Sequence, residues 1–160
     1  MISCTFENGN VNSLRHVVVD TIITKDGKIL MAKRTPHDIG VVILESGKWG
    51  LIGGFMERDE TIREAVAREA FEETGWKIEN ITLLMIRDDP SSAVEDRQNI
   101  KFVFFADAVE KTGGQDNEST AIEWFPLDTI PPAEQIAFDH FDSIETYRRW
   151  KKEQFPLPVF

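Results

Sequence analysis

The chain has 160 residues, with 28 acidic against 18 basic side chains and a formal net charge of −10. A hydrophobic fraction of 41%, with eleven Phe and four Trp, supplies one hydrophobic core and excludes disorder as the main theme. The acidic balance excludes a nucleic-acid polymer as the expected partner, because such binders need a basic stripe to neutralise phosphates; it is equally poor for an anionic membrane surface.

Cys4 is the only thiol, so no internal disulfide can form, which fits a reducing compartment. Residues Met1 to Asn10 contain Glu7 and no apolar run of the kind a secretory signal needs. No stretch reaches the ~18 apolar residues of a membrane span. The expectation is a cytoplasmic protein without a membrane partner. No repeat, linker or low-complexity tract divides residues 1–160, so a single domain is expected.

In chain order, the β-branched residues Val17 to Thr24 and the apolar run Ile29 to Ala32 flank Asp26-Gly27, which supplies the positive φ of a tight hairpin. Two antiparallel strands are predicted, at about 16–24 and 28–34. Thr35 to Lys48 reads as a long loop with a short strand at Val41–Leu44, followed by the apolar stretch Trp49–Phe55. Thr61-Ile62-Arg63-Glu64 fits a capping box and Gly75 fits a terminating glycine, which predicts a helix over Ile62–Thr74. Strands are predicted at Ile78–Ile86, Lys101–Val109 and Ile122–Phe125, and a last helix at about Ala137–Lys152 after Pro131-Pro132. Strands, helix, strands, helix is the order of an α+β fold, an α/β/α sandwich around a mixed sheet.

The first helix carries an anomaly. Ile62, Ala65 and Val66 form one stripe at 3.6-residue periodicity, and its continuation meets Glu69, Glu72 and Glu73. Like charges at this spacing cost an isolated helix ~0.2–0.5 kcal/mol each. The helix dipole also disfavours negative charge near a C-terminus. A solvated acidic face has the same composition, but here the same stripe must bury upstream. Clustered carboxylate oxygens suit a hard divalent cation, with water and substrate phosphates completing its shell. No His or Cys joins the cluster, which argues against zinc.

From Gly54 the chain runs through five residues to Glu60, seven more to Arg68-Glu69-Ala70, then Glu72-Glu73 and Gly75-Trp76. This resembles the signature of the Nudix hydrolases, G-x5-E-x7-R-E-U-x-E-E-x-G-U, at every charged and glycine position. The approach Gly47 to Gly54 is also similar, with Ile52 where the family often has Pro, and the resemblance covers about residues 16–152. It implies the Nudix fold and hydrolysis of a nucleoside diphosphate linked to another moiety, with Mg²⁺ as cofactor and Mn²⁺ able to substitute. It further implies Glu69, Glu72 and Glu73 as metal ligands together with the carbonyl of Gly53, and Glu60 and Arg68 as residues that fix those ligands. An ordinary surface ion pair between Arg68 and Glu60 has the same spacing. The resemblance implies a catalytic base that is either a motif glutamate or a carboxylate on a loop outside the motif; in the loop Arg87–Arg97, Glu95 and Asp96 are favoured over Asp88 and Asp89, and solvation alone also explains an acidic loop.

Arg34 and Arg87 are candidates for substrate phosphates, although basic residues at strand ends are more often merely exposed. Trp49 and Phe55 are read as core before base-stacking residues, and His140 as a satisfied hydrogen-bonding residue before a catalytic one. The apolar tail Phe155–Phe160 packs either across a subunit interface or back on its own core. By similarity, Ala137-Phe138-Asp139-His140 and the loop around Asp89-Pro90 and Glu95-Asp96-Arg97 lean the substrate toward ADP-ribose or nucleotide sugars. The alternatives are a nucleoside triphosphate pyrophosphohydrolase, oxidised nucleotides included, and a nucleotide-sensing Nudix domain that does not cleave. The partner is expected to be a small nucleotide; a homodimer is a family tendency.

Overall fold

The computed structural model describes residues 2–35, 37–38, 41–42, 44–92, 98–114 and 119–160. Its strands are β1 (Ile2–Thr5), β2 (Val11–Leu14), β3 (Val17–Lys25), β4 (Lys28–Arg34), β5 (His37–Asp38), β6 (Val41–Val42), β7 (Trp49–Gly50), β8 (Ile52–Phe55), β9 (Trp76–Arg87), β10 (Ile100–Lys111) and β11 (Ser119–Pro126). The helices are α1 (Ile62–Thr74), between β8 and β9, and α2 (His140–Glu153), after β11.

The β3–β4 hairpin closes through Asp26 and Gly27, both at positive φ, as a two-residue turn demands. Around it the main sheet runs β11-β4-β3-β10-β9, with β7 paired to β4 and β8 to β3. The β3–β10 pair is parallel and the other pairs are antiparallel, so the sheet is mixed.

Strand alternation sends side chains to two layers. Val19 packs with Ala65 and Val66 of α1, and Ile23 with Ala70, whereas Ile22, Met31 and Val103 pack with Ile144 and Tyr147 of α2. Val19, Ile22, Ile23 and Met31 are fully buried, each contributing ~1.5–3 kcal/mol. The result is the expected α+β architecture, a mixed sheet between two helices.

Helix α1 has the boundaries that its caps predict. Thr61 accepts from Glu64 N–H, and the Glu64 carboxylate accepts from Thr61 N–H at 2.7 Å. Gly75 sits in the left-handed region at φ 73°, and its carbonyl accepts from Thr112 and Gly113. A Cβ at Gly75 would lie 2.2 Å from the Gly113 carbonyl oxygen, so glycine is needed for close approach as well as for conformation.

Two features depart from the sequence expectation, and the tail takes one of the two courses that expectation left open. Residues 2–14 form a separate β1–β2 hairpin whose Ile2, Phe6, Val11 and Leu14 are exposed. Helix α2 begins at His140 rather than near Ala137, because Ala137 N–H is bonded to the Trp49 carbonyl at 2.8 Å and Phe138 turns through positive φ. The tail folds back: Val159 lies beside Met85 and exchanges hydrogen bonds of 2.9 Å with Leu84 and Ile86, covering the edge of β9. Of the short strand expected at Val41–Leu44, Val41–Val42 pairs with His37–Asp38, Leu44 lies in a turn, and residue 43 lies outside the described residues. No helix among the described residues is long and apolar enough to cross a membrane.

Candidate active site

Strand β8 brings Gly53 and Gly54 onto β3, opposite Asp20 and Val19, and α1 then passes over them. The contact is close: a Cβ at Gly53 would lie 1.9 Å from the Val19 carbonyl oxygen, and one at Gly54 would lie 2.6 Å from Oε1 of Glu69. The paired glycines therefore let the main chain lie against a carboxylate.

Arg68 organises the site. Its Nε and Nη2 donate to the two oxygens of Glu60 at 2.9 and 2.8 Å. Its Nη1 donates to Glu69 at 2.8 Å and to Glu72 at 3.0 Å, and Nη2 also reaches the Phe55 carbonyl at 3.0 Å. Five hydrogen bonds thus match the five N–H donors of a guanidinium, which a lysine could not reproduce. The Arg68 bond holds the Glu60 carboxyl below its ordinary range, and the Glu57 N–H at 2.7 Å acts in the same direction. Arg68 in turn stays charged to well above its usual value, chiefly through Glu60 and then through Glu72 and Glu69.

Glu73, on the buried side of α1, is 7% exposed and accepts the Gly53 N–H at 3.0 Å. This is why the acidic end of the stripe tolerates burial: its carboxylates meet a guanidinium and a main-chain donor. Among the described residues no three carboxylate, imidazole or thiol side chains converge on one point. The donor set is nevertheless all oxygen, three carboxylates beside a glycine main chain, and Gly54 keeps open the space against Glu69 that a Cβ would fill. That chemistry fits a hard divalent cation.

A family model described as the NUDIX domain matches residues 14–147. The chain is also 36% identical over 135 residues to an ADP-ribose pyrophosphatase of Methanocaldococcus jannaschii, covering 84% of this chain and 74% of that one. The chain belongs to the Nudix hydrolase family. An 8-oxo-dGDP phosphatase of Mus musculus is 32% identical over 72% of this chain, which spans 33% of that protein. The crystal structure of a Nudix hydrolase from Nitrosomonas europaea superposes with a TM-score of 0.72 at 25% identity, covering 95% of this chain and 80% of that one. The protein is accordingly a pyrophosphohydrolase of a family that depends on divalent metal.

Of the residues singled out in the sequence, Gly53, Glu60, Arg68, Glu69, Glu72 and Glu73 of this Nudix hydrolase come together where α1 crosses β8. Glu95 and Asp96 lie outside the described residues. Arg87 stands on the α2 face of the sheet, with Nε 3.0 Å from Asp139 and Nη2 3.6 Å from Asp142. Arg34 donates to the Leu44 carbonyl at 3.0 Å and lies 4.9 Å over the Phe138 ring. Trp49 packs edge-on against Phe125, while Phe55 is 42% exposed and its ring lies 4.9 Å from that of His16, tilted by 48°.

The sequence reading singled out Asp139 and His140 and took His140 as a satisfied hydrogen-bonding residue, which it is; what it missed is the partners that hold this polar group at the start of α2. Lys101 Nζ lies 2.5 Å from Asp139, which is largely buried. Burial pushes the Asp139 carboxyl up, but the Lys101 bond and the charges of Lys101 and Arg87 outweigh it and leave it low. Beside it, His140 Nδ1 accepts the Leu51 N–H at 2.9 Å. One signal was available: Asp20 is a lone charge inside the β-branched run Val17–Thr24, and it proves to be a buried neighbour of His140.

Proposed function

We propose that this Nudix hydrolase uses Mg²⁺ to cleave the phosphoanhydride of a nucleoside diphosphate joined to a sugar, ADP-ribose or a nucleotide sugar, by attack of water on phosphorus. The observation that carries this reading is the Arg68-centred group of Glu60, Glu69 and Glu72, with Glu73 seated on Gly53. Glu69, Glu72, Glu73 and the Gly53 carbonyl would hold the metal. When bound, divalent metal neutralises phosphate charge and acidifies the attacking water. Arg68 orients Glu69 and Glu72 through one guanidinium, Glu60 fixes that guanidinium, and the Gly53 N–H holds Glu73. Glu95 or Asp96 is our candidate for the base that takes the proton from water; full turnover in the Glu95→Gln, Asp96→Asn double variant excludes both.

The activity named for the Methanocaldococcus relative supports the ADP-ribose preference, and its similarity extends along most of both chains. The second reading is hydrolysis of oxidised or ordinary nucleoside triphosphates; the Mus musculus relative, named as an 8-oxo-dGDP phosphatase, lends it only the precedent of an oxidised nucleotide as substrate. Product chromatography on a substrate panel with Mg²⁺ separates the two. The proposal predicts AMP and ribose 5-phosphate from ADP-ribose as the fastest reaction. Faster release of pyrophosphate from a nucleoside triphosphate favours the second reading. Nucleotide binding without any turnover would mark a sensing domain and overturn both.

A further inference from the structure

Two buried polar side chains on the face of the sheet away from α1 have no part in the reaction as described. Asp20 and His140 are 8% and 5% exposed, and His140 Nε2 lies 3.5 Å from Asp20 Oδ1. A main-chain N–H can only donate, so the 2.9 Å bond from Leu51 leaves Nδ1 without a proton and places the ring proton on Nε2, facing Asp20. Apolar side chains of similar size would fill this space without the desolvation cost of a buried polar pair.

Their position relates them to the site. Leu51 is two residues before Gly53, and the intervening Ile52 is fully buried. Asp20 is the cross-strand partner of Gly53, its Cα 2.9 Å from where a Gly53 Cβ would stand. Just upstream, the Trp49 carbonyl accepts Ala137 N–H, and Gly50 lies against the His140 ring, with room for a Cβ at 3.4 Å from Nδ1. The main chain entering β8 is thus anchored from the α2 side at Trp49 and Leu51, and from the α1 side where Gly53 N–H meets Glu73.

We propose that His140, backed by Asp20, is a positioning residue: through Leu51 it sets the main chain of Gly53 and so the placement of Glu73, across the thickness of the sheet from α1. The inference rests on the metal role proposed above for Gly53 and Glu73. It assigns His140 no contact with substrate.

Three substitutions separate the ring's functions. His140→Asn keeps an acceptor near Nδ1, His140→Gln keeps an amide near Nε2 but no acceptor for Leu51, and His140→Leu removes both. The readouts are Mn²⁺ affinity by electron paramagnetic resonance without nucleotide, kcat and KM on ADP-ribose with Mg²⁺, and thermal unfolding. The expected result is a loss of about tenfold in Mn²⁺ affinity and in kcat for His140→Leu and His140→Gln, with KM changed by less than about twofold, and recovery of most of both losses in His140→Asn. Should His140→Leu fail to fold, the Asn and Gln variants decide alone. Gln retaining Mn²⁺ affinity and kcat within about twofold of the parent, with only its unfolding temperature lowered, would overturn the proposal. Asn as impaired as Gln would overturn it too. A parent protein that binds no Mn²⁺ and cleaves no panel substrate would instead count against the metal-dependent reaction itself.

Discussion

Arg68 and Glu60 meet through two parallel hydrogen bonds, Nε to Oε2 at 2.9 Å and Nη2 to Oε1 at 2.8 Å. They are eight residues apart, one in the turn before α1 and the other at its midpoint. The pair therefore locks the turn to the helix while the remaining donors of Arg68 hold Glu69, Glu72 and the Phe55 carbonyl.

Arg68→Lys keeps the charge and loses the fork. A single ammonium with three donors cannot span Glu60, Glu69, Glu72 and the Phe55 carbonyl together. The expected outcome is a lower unfolding temperature and a kcat reduced by about tenfold or more. Steady-state kinetics and thermal unfolding of the one variant check both.

The acid limb of stability draws on depressed carboxyls, of which Glu60 and Asp139 are held by charged partners. Glu60 and Asp139 have folded-state values below their unfolded ones, so each contributes stability at neutral pH that is lost as pH falls through the lowered folded value. The unfolding temperature should drop as pH goes below about 4. Glu60→Gln should start lower at neutral pH and fall less steeply in acid, which a pH series of thermal unfolding curves measures.

The two glycines before the motif helix should behave differently when replaced by alanine. At Gly53 the new methyl would meet main-chain atoms of Val19 and Asp20, so β8 must move away from β3; the cost expected is about 1–3 kcal/mol or more. At Gly54 the atoms nearest the methyl all belong to the carboxylate end of Glu69, which can swing aside. Gly54→Ala should therefore unfold close to the parent temperature and lose turnover, and Gly53→Ala should lose both. Melting curves beside rates test the contrast.

Local rules fixed much of this architecture in advance. Thr61, Glu64 and Gly75 define α1 by backbone hydrogen bonds that their own side chains or conformations complete, so its ends were readable to the residue. Asp26-Gly27 and the β-branched run before it did the same for the β3–β4 hairpin. The motif spacing likewise brought out Glu60, Arg68 and the three glutamates, because helical periodicity and a single turn suffice to gather them. What stayed hidden depends on contacts distant in sequence. Ala137 is held by Trp49, which delays the start of α2, and His140 is satisfied by Leu51, 89 residues away. Arg87 reads in sequence as a candidate for substrate phosphates or as a merely exposed strand-end residue, but Asp139 and Asp142, distant in sequence, stand beside it. The β1–β2 hairpin has short strands whose apolar residues stay exposed, so hydrophobic patterning gave no sign of it.

The central claim is that carboxylates of α1 carry the reaction through a bound divalent cation, and Glu73→Gln tests it most directly. The amide keeps the shape of the side chain and an oxygen for the Gly53 N–H, so the fold should be retained. Turnover of ADP-ribose at saturating Mg²⁺, measured beside the unfolding temperature, should fall by about a hundredfold or more while unfolding stays near the parent value. A folded Glu73→Gln protein that hydrolyses ADP-ribose at the parent rate would contradict the account.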